Sequence, residues 1–234
     1  MKELAHPQDV AAPGNGREGQ DGVSEAVRED DVLPLSYSQQ QLWFLHRYSP
    51  DLIAYNQPRA YRLTGNVDAG ALESAFPALI QRHSVLRTRF FERNGVPHQS
   101  VLPSVPFSIR REDLSELAAP EQDERLARSI QNVAQHVFDL GAPPLLVARL
   151  IKLAENSYVL VVCLHHIVSD AWSNRIIESD LSEAYRQALG QDCDTQLPSL
   201  PVQYDDYVLQ QHKRVASGDI EKELKYWNEH LGDD

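Results

Sequence analysis

Cysteine is nearly absent from this sequence, because its 234 residues include only Cys163 and Cys193. Cys163 lies in an apolar run and Cys193 in a polar stretch, and no paired spacing indicates a disulfide framework or a zinc site. The residues after Met1 also lack the apolar core of a signal peptide. These observations predict a cytoplasmic protein.

Basic residues and long apolar runs are also scarce. The sequence has 22 Lys and Arg against 34 Asp and Glu, which gives a formal net charge of −12. That balance argues against a nucleic-acid binder, which needs a basic face to displace counterions from phosphates. The longest apolar stretch, from Tyr158 to Leu164, is far too short to cross a bilayer. We therefore expect neither nucleic acid nor a membrane as a partner.

The composition divides the chain into two parts. Residues 1–31 are rich in Gly, Pro, Gln, Asp and Glu, and this predicts a flexible N-terminal tail or linker. A docking segment for another protein is the alternative interpretation of this tail. Residues 32–234 carry periodic apolar patterns and predict the folded part.

Strand-like and helical patterns alternate along the folded part. Ser38 can cap a helix from Gln39 to Arg47, and Asp68 can cap another helix in which Pro77 predicts a kink or a late start. Asn94-Gly95 predicts a tight hairpin between strands at 88–93 and 96–102. The alternation favours an α/β fold with helices laid against a mixed sheet. Further strands are predicted at 55–63, 107–111, 145–153 and 158–168, and further helices at 120–138, 172–189, 203–215 and 220–231.

The segment from Leu164 to Ser173 is the most informative for chemistry. A buried strand delivers His165 and His166 at its end, and Asp170 precedes a helix that it can cap. Side chains alternate along a strand, so we expect one histidine to be catalytic and the other structural. A neutral imidazole accepts a proton near neutral pH, because its unperturbed pKa is about 6.5.

Other chemistries have less support in the sequence. Taken alone, a histidine at a strand end and an Asp before a helix are more often structural than catalytic. A metal site is not expected, because adjacent histidines on a strand diverge and no third ligand has an evident spacing. Ser36 and Ser38 lie in no nucleophile elbow, and Cys163 should face away from His166.

Four segments together resemble one family. His165 to Ala171 resembles the His-His-x-x-x-Asp-Gly signature of nonribosomal peptide synthetase condensation domains. Ser36 to Trp43 looks like the family's opening motif, Ser-x-Ala-Gln-x-Arg-Leu-Trp. Arg82 to Phe90 matches every fixed position of the second, Arg-His-x-x-Leu-Arg-Thr-x-Phe, and Tyr204 to Tyr207 resembles the start of the fourth.

The resemblance implies a fold and a division of the chain. The family has a chloramphenicol acetyltransferase-like fold of two similar lobes with the active site in a tunnel between them. Residues 32–234 would form the N-terminal lobe, with a mixed, mostly antiparallel sheet flanked by helices. The C-terminal lobe would be absent, so we expect the chain to be inactive on its own.

The resemblance also implies roles for individual residues. The second histidine of the signature, here His166, would be catalytic, either by removing a proton from the amine or by orienting it. Asp170 would pair with an arginine, either Arg87 or one outside this chain. Structural support of the site would come from His165, Asp170, Arg87 and Arg82. The substrate tunnel would include Ala171, Trp172 and Ser173, and no metal is implied.

Several positions depart from the family pattern, among them Ser38, which replaces the alanine of the opening motif. Ala171 replaces the glycine of the signature and adds a methyl group where substrate passes. Gln41 replaces the arginine of the opening motif. Gln210 stands where the fourth motif has tryptophan, which puts that packing contact in doubt.

The function implied is peptide bond formation, in which the amine of a carrier-bound acceptor attacks a donor thioester. No cofactor would bind directly, since phosphopantetheine arms carry the substrates. Expected partners are peptidyl or acyl carrier protein domains, the complementary C-terminal lobe and an adjacent adenylation domain. A starter condensation domain that uses acyl-coenzyme A or another fatty acyl donor is one alternative. A noncatalytic scaffold lobe that binds carrier proteins is the other.

Overall fold

The structure, a computed structural model, describes residues 32–191, 197–218 and 220–232. The tail predicted at residues 1–31 and the second cysteine, Cys193, lie outside the described residues. Each helix within the described ranges is too short or too polar to traverse a lipid bilayer.

Within those ranges the chain forms seven strands and six α-helices. The strands are β1 (Leu33–Pro34), β2 (Asn56–Thr64), β3 (Thr88–Arg93), β4 (Val96–Val101), β5 (Arg110–Asp113), β6 (Leu146–Ala154) and β7 (Ser157–His165). The α-helices are α1 (Tyr37–Tyr48), α2 (Ala69–Arg82), α3 (Ala119–Ala134), α4 (Ala171–Ala188), α5 (Tyr204–Ala216) and α6 (Glu221–Leu231), and a 3₁₀ turn spans Ser84–Arg87.

Two sheets organise these elements. The larger sheet has the order β2-β7-β6-β5, in which β5 and β6 are parallel and the other neighbours antiparallel. The smaller sheet has the order β1-β4-β3 and is antiparallel throughout. The predicted α/β class with a mixed, mostly antiparallel sheet is confirmed, with the strands divided between two sheets.

Helices pack on both sheets and help to enclose a buried hydrophobic cluster. Helix α3 packs on β2, β6 and β7, and α2 packs against α4. Strand β7 is buried along most of its length, since both of its neighbours pair with it and helices cover the sheet. The cluster includes Leu35, Phe76, Leu79, Ile80, Phe90, Ile151, Val161 and Leu164, each at most 2% exposed.

The local signals placed most elements correctly. The Asn94-Gly95 turn joins β3 to β4, and both residues have positive φ (54° and 78°), as a tight hairpin turn requires. Asp68 caps α2 by accepting hydrogen bonds from the backbone N–H groups of Gly70 and Ala71. The late start predicted from Pro77 is wrong: α2 begins at Ala69 and accommodates this proline on its exposed side.

Two boundaries differ for reasons visible in the hydrogen bonds. Helix α1 is capped by Ser36, not Ser38, because Ser36 and Gln39 form a reciprocal capping box. Strand β7 ends at His165, not at Val168, because its register with β2 ends where Asn56 pairs with His165. The chain turns there, and the N–H of Val168 donates to the carbonyl of His165 at 3.1 Å.

Candidate active site

The loop between β7 and α4 places the two histidines in different environments. His165 is the last residue of β7, whereas His166 begins the turn that follows it. The backbone N–H of His166 donates to the carbonyl of Tyr55 at 2.9 Å, which ties the turn to the residue before β2. The loop ends at Asp170, the cap of α4.

His165 is a buried, neutral residue. It is 3% exposed, and its Nδ1 accepts a hydrogen bond from the N–H of Ile167 at 3.1 Å. Phe138 packs edge-on against the ring, with the two centroids 5.9 Å apart. Burial lowers the pKa of His165 to about 4, and the nearby His46 and His166 add to this effect. The geometry therefore gives His165 a structural position.

His166 is an exposed residue held at one ring nitrogen. Its Nδ1 lies 2.6 Å from the carbonyl oxygen of Ser169 and 2.9 Å from Nε2 of Gln57. Its Nε2 has no hydrogen-bond partner within the described part of the chain. The ring is thus held at Nδ1 alone.

Gln57 and Asn174 support this ring from β2 and α4. The Oε1 of Gln57 accepts hydrogen bonds from the Ser169 hydroxyl at 2.7 Å and from Nδ2 of Asn174 at 3.1 Å. Asn174 is 3% exposed, and its Oδ1 is buried with no partner among the described residues. Strand β2 and the loop therefore meet at Nδ1 of His166, and α4 supports Gln57 through Asn174.

Asp170 caps α4 and forms no ion pair with an arginine among the described residues. Its Oδ1 accepts a hydrogen bond from the N–H of Ser173 at 2.7 Å, and the hydrogen bonds from Ser173 hold the pKa of Asp170 below its usual value. The expected pairing of Asp170 with Arg87 is wrong. The guanidinium of Arg87 instead donates to backbone carbonyls at the end of α2 and after β4, those of Ile80, Gln81, Leu102 and Pro103.

Arg82 belongs to a buried ionic cluster. Its Nε donates to Oδ2 of Asp180 at 2.7 Å, and Nε2 of His83 lies 2.8 Å from the same oxygen. Because a carboxylate only accepts, the imidazole of His83 donates from Nε2. Burial lowers the pKa of His83, although Asp180 opposes this. The cluster joins the C-terminal end of α2 to the middle of α4.

A cleft of about 780 Å³ runs beside this loop. Its lining includes His166, Ser173, Ile176 and Ile177 from the loop and α4, together with Ser38, Gln41, Leu42, Leu45, His83, Val202, Tyr204 and Tyr207. Residues 173, 176 and 177 share one face of α4, as helical periodicity requires. Ala171 and Trp172 do not border this cleft, and Trp172 is 74% exposed. Their place in a tunnel stays a prediction for a completed domain.

Helix α5 brings the segments of the family pattern together. The hydroxyls of Tyr204 and Ser36 lie 2.9 Å apart, and Ser84 Oγ donates to Asp205 at 2.6 Å. Gln203 accepts from the N–H of Ser84 and donates to the carbonyl of Arg82, each at 3.0 Å. One wall of the cleft is thereby anchored to both the opening segment and the second segment.

Three of the residues that define the site were not predicted from the sequence. Gln57 and Asn174 carry no local signal, because Gln57 reaches His166 only through the pairing of β2 with β7, and Asn174 reaches Gln57 only through the docking of α4. Asp180 is, in the sequence, only one polar position of an amphipathic helix. A group of three or more His, Cys, Asp or Glu side chains that could hold a metal ion does not occur among the described residues.

Comparison with known proteins identifies the family. A family model described as the condensation domain matches residues 29–233. The chain therefore belongs to the condensation domain family, whose members are acyl-transfer enzymes of nonribosomal peptide synthetases. The predicted chloramphenicol acetyltransferase-like lobe is confirmed with it.

Two curated relatives are large synthetases. The chain is 37% identical to malpinin synthetase of Mortierella alpina over 201 residues, covering 86% of this chain and 3% of that protein. It is 35% identical to chondramide synthase cmdD of Chondromyces crocatus over 221 residues, covering 93% of this chain and 6% of that protein. The chain spans only a small part of either relative.

Two solved structures share the fold. The X-domain in complex with OxyB from teicoplanin biosynthesis superposes with a TM-score of 0.75 at 27% identity, covering 89% of this chain and 45% of that one. The starter condensation domain of rhizomide synthetase RzmA superposes with a TM-score of 0.73 at 20% identity, covering 85% of this chain and 49% of that one. The second likeness shows the fold alone.

Proposed function

We propose that this chain forms amide bonds in nonribosomal peptide synthesis, with His166 as the catalytic residue. The proposal rests on the hydrogen bonding of the His166 ring and on its position beside the cleft. Its Nδ1 is held by the loop, its Nε2 is without a protein partner among the described residues, and the side chain borders the cleft. A preorganised imidazole with one open nitrogen is what a proton-transfer site needs.

The reaction balances through that open nitrogen. The amine of the acceptor attacks the carbonyl carbon of the donor thioester, so that the N–C bond forms and the C–S bond breaks. The proton lost by the amine passes to Nε2 of His166 and from there to the leaving thiolate. The carbonyl of Ser169, 2.6 Å from Nδ1, can accept a hydrogen bond from the ring while it is doubly protonated.

The cleft supports substrates on long flexible arms. Its walls combine apolar side chains such as Leu42 and Ile176 with polar groups such as Ser173 and Tyr204. A phosphopantetheine arm has both methylene groups and amides, and the lining offers contacts to each. Carrier protein domains that present such arms, and an adenylation domain that loads them, are the proposed partners.

A second lobe is part of the proposal. The solved relatives are matched over 45% and 49% of their length, so each contains about as much chain again. The cleft beside His166 is open, and a second lobe would convert it into a tunnel that excludes water. We propose that residues 32–234 form the N-terminal lobe of such a domain and that residues 1–31 are a linker.

The test is turnover of loaded carrier proteins by the domain completed with a second lobe. We expect His166→Ala to lower kcat by about 100-fold or more, since a positioned acid–base group contributes at least that factor. His98→Ala is the matched control, because Nδ1 of His98 also contacts a backbone carbonyl, that of Val96, but on β4. Undiminished turnover in His166→Ala would reject the catalytic role.

The donor class is measured in the same assay. Carrier-bound aminoacyl donors and acyl-coenzyme A are offered in competition with one loaded acceptor. Preference for the carrier-bound donor supports peptide bond formation. Preference for acyl-coenzyme A instead identifies a starter domain that acylates the first amino acid.

A noncatalytic scaffold is the second candidate. The observation in its favour is the X-domain, a relative at 27% identity whose structure was solved as a complex with OxyB. Binding of a carrier or another partner that persists in His166→Ala, together with no turnover in the completed parent domain, would establish this role in place of catalysis.

A further inference from the structure

Two groups contact Nδ1 of His166, and they favour opposite protonation states of this atom. The carbonyl oxygen of Ser169, at 2.6 Å, can only accept a hydrogen bond. The amide Nε2 of Gln57, at 2.9 Å, can only donate one. A neutral imidazole carries its proton on one nitrogen, so Nδ1 satisfies one of these neighbours at a time. Each neutral tautomer therefore has one hydrogen bond at this atom.

The orientation of Gln57 is fixed by the other end of its amide. Its Oε1 accepts from the Ser169 hydroxyl at 2.7 Å and from Nδ2 of Asn174 at 3.1 Å. Asn174 gains little else, since its Oδ1 is buried without a partner among the described residues, a costly arrangement. With both donors on Oε1, the amide N–H of Gln57 faces the ring.

We propose that Gln57, oriented by Asn174, is a positioning residue that sets the tautomer balance of His166. Its N–H stabilises the tautomer with a bare Nδ1 and a proton on Nε2, and the Ser169 carbonyl stabilises the opposite one. The first tautomer offers the cleft a hydrogen-bond donor, and the second offers it an acceptor. The effect of this tautomer balance on catalysis rests on the proposed function of His166, whereas the balance itself does not depend on that function.

This competition explains how one ring serves both halves of the reaction. The acceptor amine needs a bare Nε2, whereas the thioester oxygen and the leaving thiolate are stabilised by a protonated Nε2. Because both tautomers keep a hydrogen bond at Nδ1, the ring exchanges one role for the other without movement of the loop.

The test is the ¹⁵N spectrum of His166 in the full chain, where Nδ1 and Nε2 shifts report the tautomer ratio at a pH where the ring is neutral. Gln57→Leu removes the donor, and Gln57→Glu replaces it with an acceptor while keeping the contacts to Ser169 and Asn174. We expect both variants to shift the ratio toward the Nδ1-protonated tautomer, by about threefold to tenfold for one net hydrogen bond. A His166→Gln sample assigns the signals.

Gln40→Leu is the matched control, since its amide donates to the carbonyl of Leu35 at 3.2 Å and lies outside the cleft lining. It should leave the ratio unchanged. If Gln57→Leu perturbs the fold, the tautomer ratio in Gln57→Glu alone tests the proposal. An unchanged ratio in Gln57→Glu would overturn the proposal.

Turnover by the completed domain is a second measurement. It distinguishes an effect on the tautomer of His166 from a purely structural role of Gln57. Gln57→Glu should lower kcat severalfold with little change in KM, because a carboxylate at Nδ1 holds the second proton on the ring. Equal kcat values for Gln57→Glu and the parent domain would show that the tautomer balance of His166 does not affect catalysis. If His166→Ala does not reduce turnover, the proposed function is rejected. The ¹⁵N shifts then still test whether Gln57 sets the tautomer ratio of His166.

Discussion

His165 and His166 are joined by one peptide bond and lie on opposite sides of the end of β7. We call buried residues with internal partners the core side; His165 and Asp180, at 3% and 6% exposure, belong to it, although the His83 ring that contacts Asp180 also borders the cleft. On the cleft side, the ring of His166 is exposed and keeps one nitrogen without a partner among the described residues. If the proposed function is correct, this difference separates residues that stabilise the fold from residues that take part in catalysis. Substitutions on the core side should therefore lower the free energy of unfolding, whereas substitution of His166 should lower turnover with little effect on stability.

The largest loss of stability is expected on the core side, from Asp180→Ala. Removal of this carboxylate leaves the Arg82 guanidinium and the His83 ring without their shared acceptor. Breaking a buried pair in this way costs about 4 kcal/mol of the free energy of unfolding. Urea denaturation at pH 7 measures the change, with Asp180→Asn as the milder control. A loss below about 1 kcal/mol would contradict the assignment of this cluster to the core side.

The pH dependence of stability is the second expectation on the core side. Burial lowers the pKa of His165 to about 4, below the value of about 6.5 in an unfolded chain. The unfolded state then binds the proton first, so stability is complete above pH 6.5 and falls as the pH drops toward 4. The loss attributable to this group is about 3 kcal/mol.

His165→Asn isolates that contribution, because an amide oxygen can still accept from the N–H of Ile167. Its stability should change less between pH 7 and pH 4.5 than that of the parent. Burial also lowers the pKa values of His46, His83 and His136, so a residual slope is expected. Equal slopes in parent and variant would show that His165 is not the buried neutral group.

A smaller loss is expected where the cleft loop meets α4. Asp170→Ala removes the acceptor for the N–H of Ser173 and should cost about 1 kcal/mol, the usual value of a helix cap. Asp170→Asn, which caps almost as well, should restore most of it. Because the pKa of Asp170 is lowered, this contribution is present above its unfolded value and is lost as the pH falls through the folded value.

The smallest effect on stability is expected on the cleft side. His166→Ala should change the free energy of unfolding by no more than about 0.5 kcal/mol, since the residue is exposed. The same variant should show the large loss of turnover described above. A strongly destabilised His166→Ala would remove the distinction between the two sides, and its loss of turnover could no longer be assigned to chemistry.

Local patterns were sufficient for most of the fold. Alternation and turn chemistry located the β3–β4 hairpin, and Asp68 and Asp170 marked the starts of α2 and α4. The end of β7 was placed three residues late, because Ile167 and Val168 are as apolar as the strand before them. Only the pairing with β2, about a hundred residues away, shows that the ladder stops at His165.

The site was predictable only in part. Adjacent histidines at a strand end indicated that their side chains would point to different sides, and the structure places His165 and His166 accordingly. The support at Nδ1 was not predictable, since Gln57 reaches the ring from another strand and is itself held by Asn174 from inside a helix. Of the two arginine partners predicted for Asp170, Arg87 is wrong, because an arginine in sequence gives no sign that it will donate to backbone carbonyls; an arginine outside this chain stays a prediction.

The anchoring of α5 has a consequence for how the protein is made. The start of α5 is attached through Tyr204 to Ser36 and through Asp205 to Ser84, which lie 168 and 121 residues earlier in the chain. A ribosome releases the β7 loop first, and the growing chain presents His166 on an open surface until α5 emerges and docks. Premature termination before residue 204 would therefore leave the cleft without the wall that Tyr204 and Tyr207 provide.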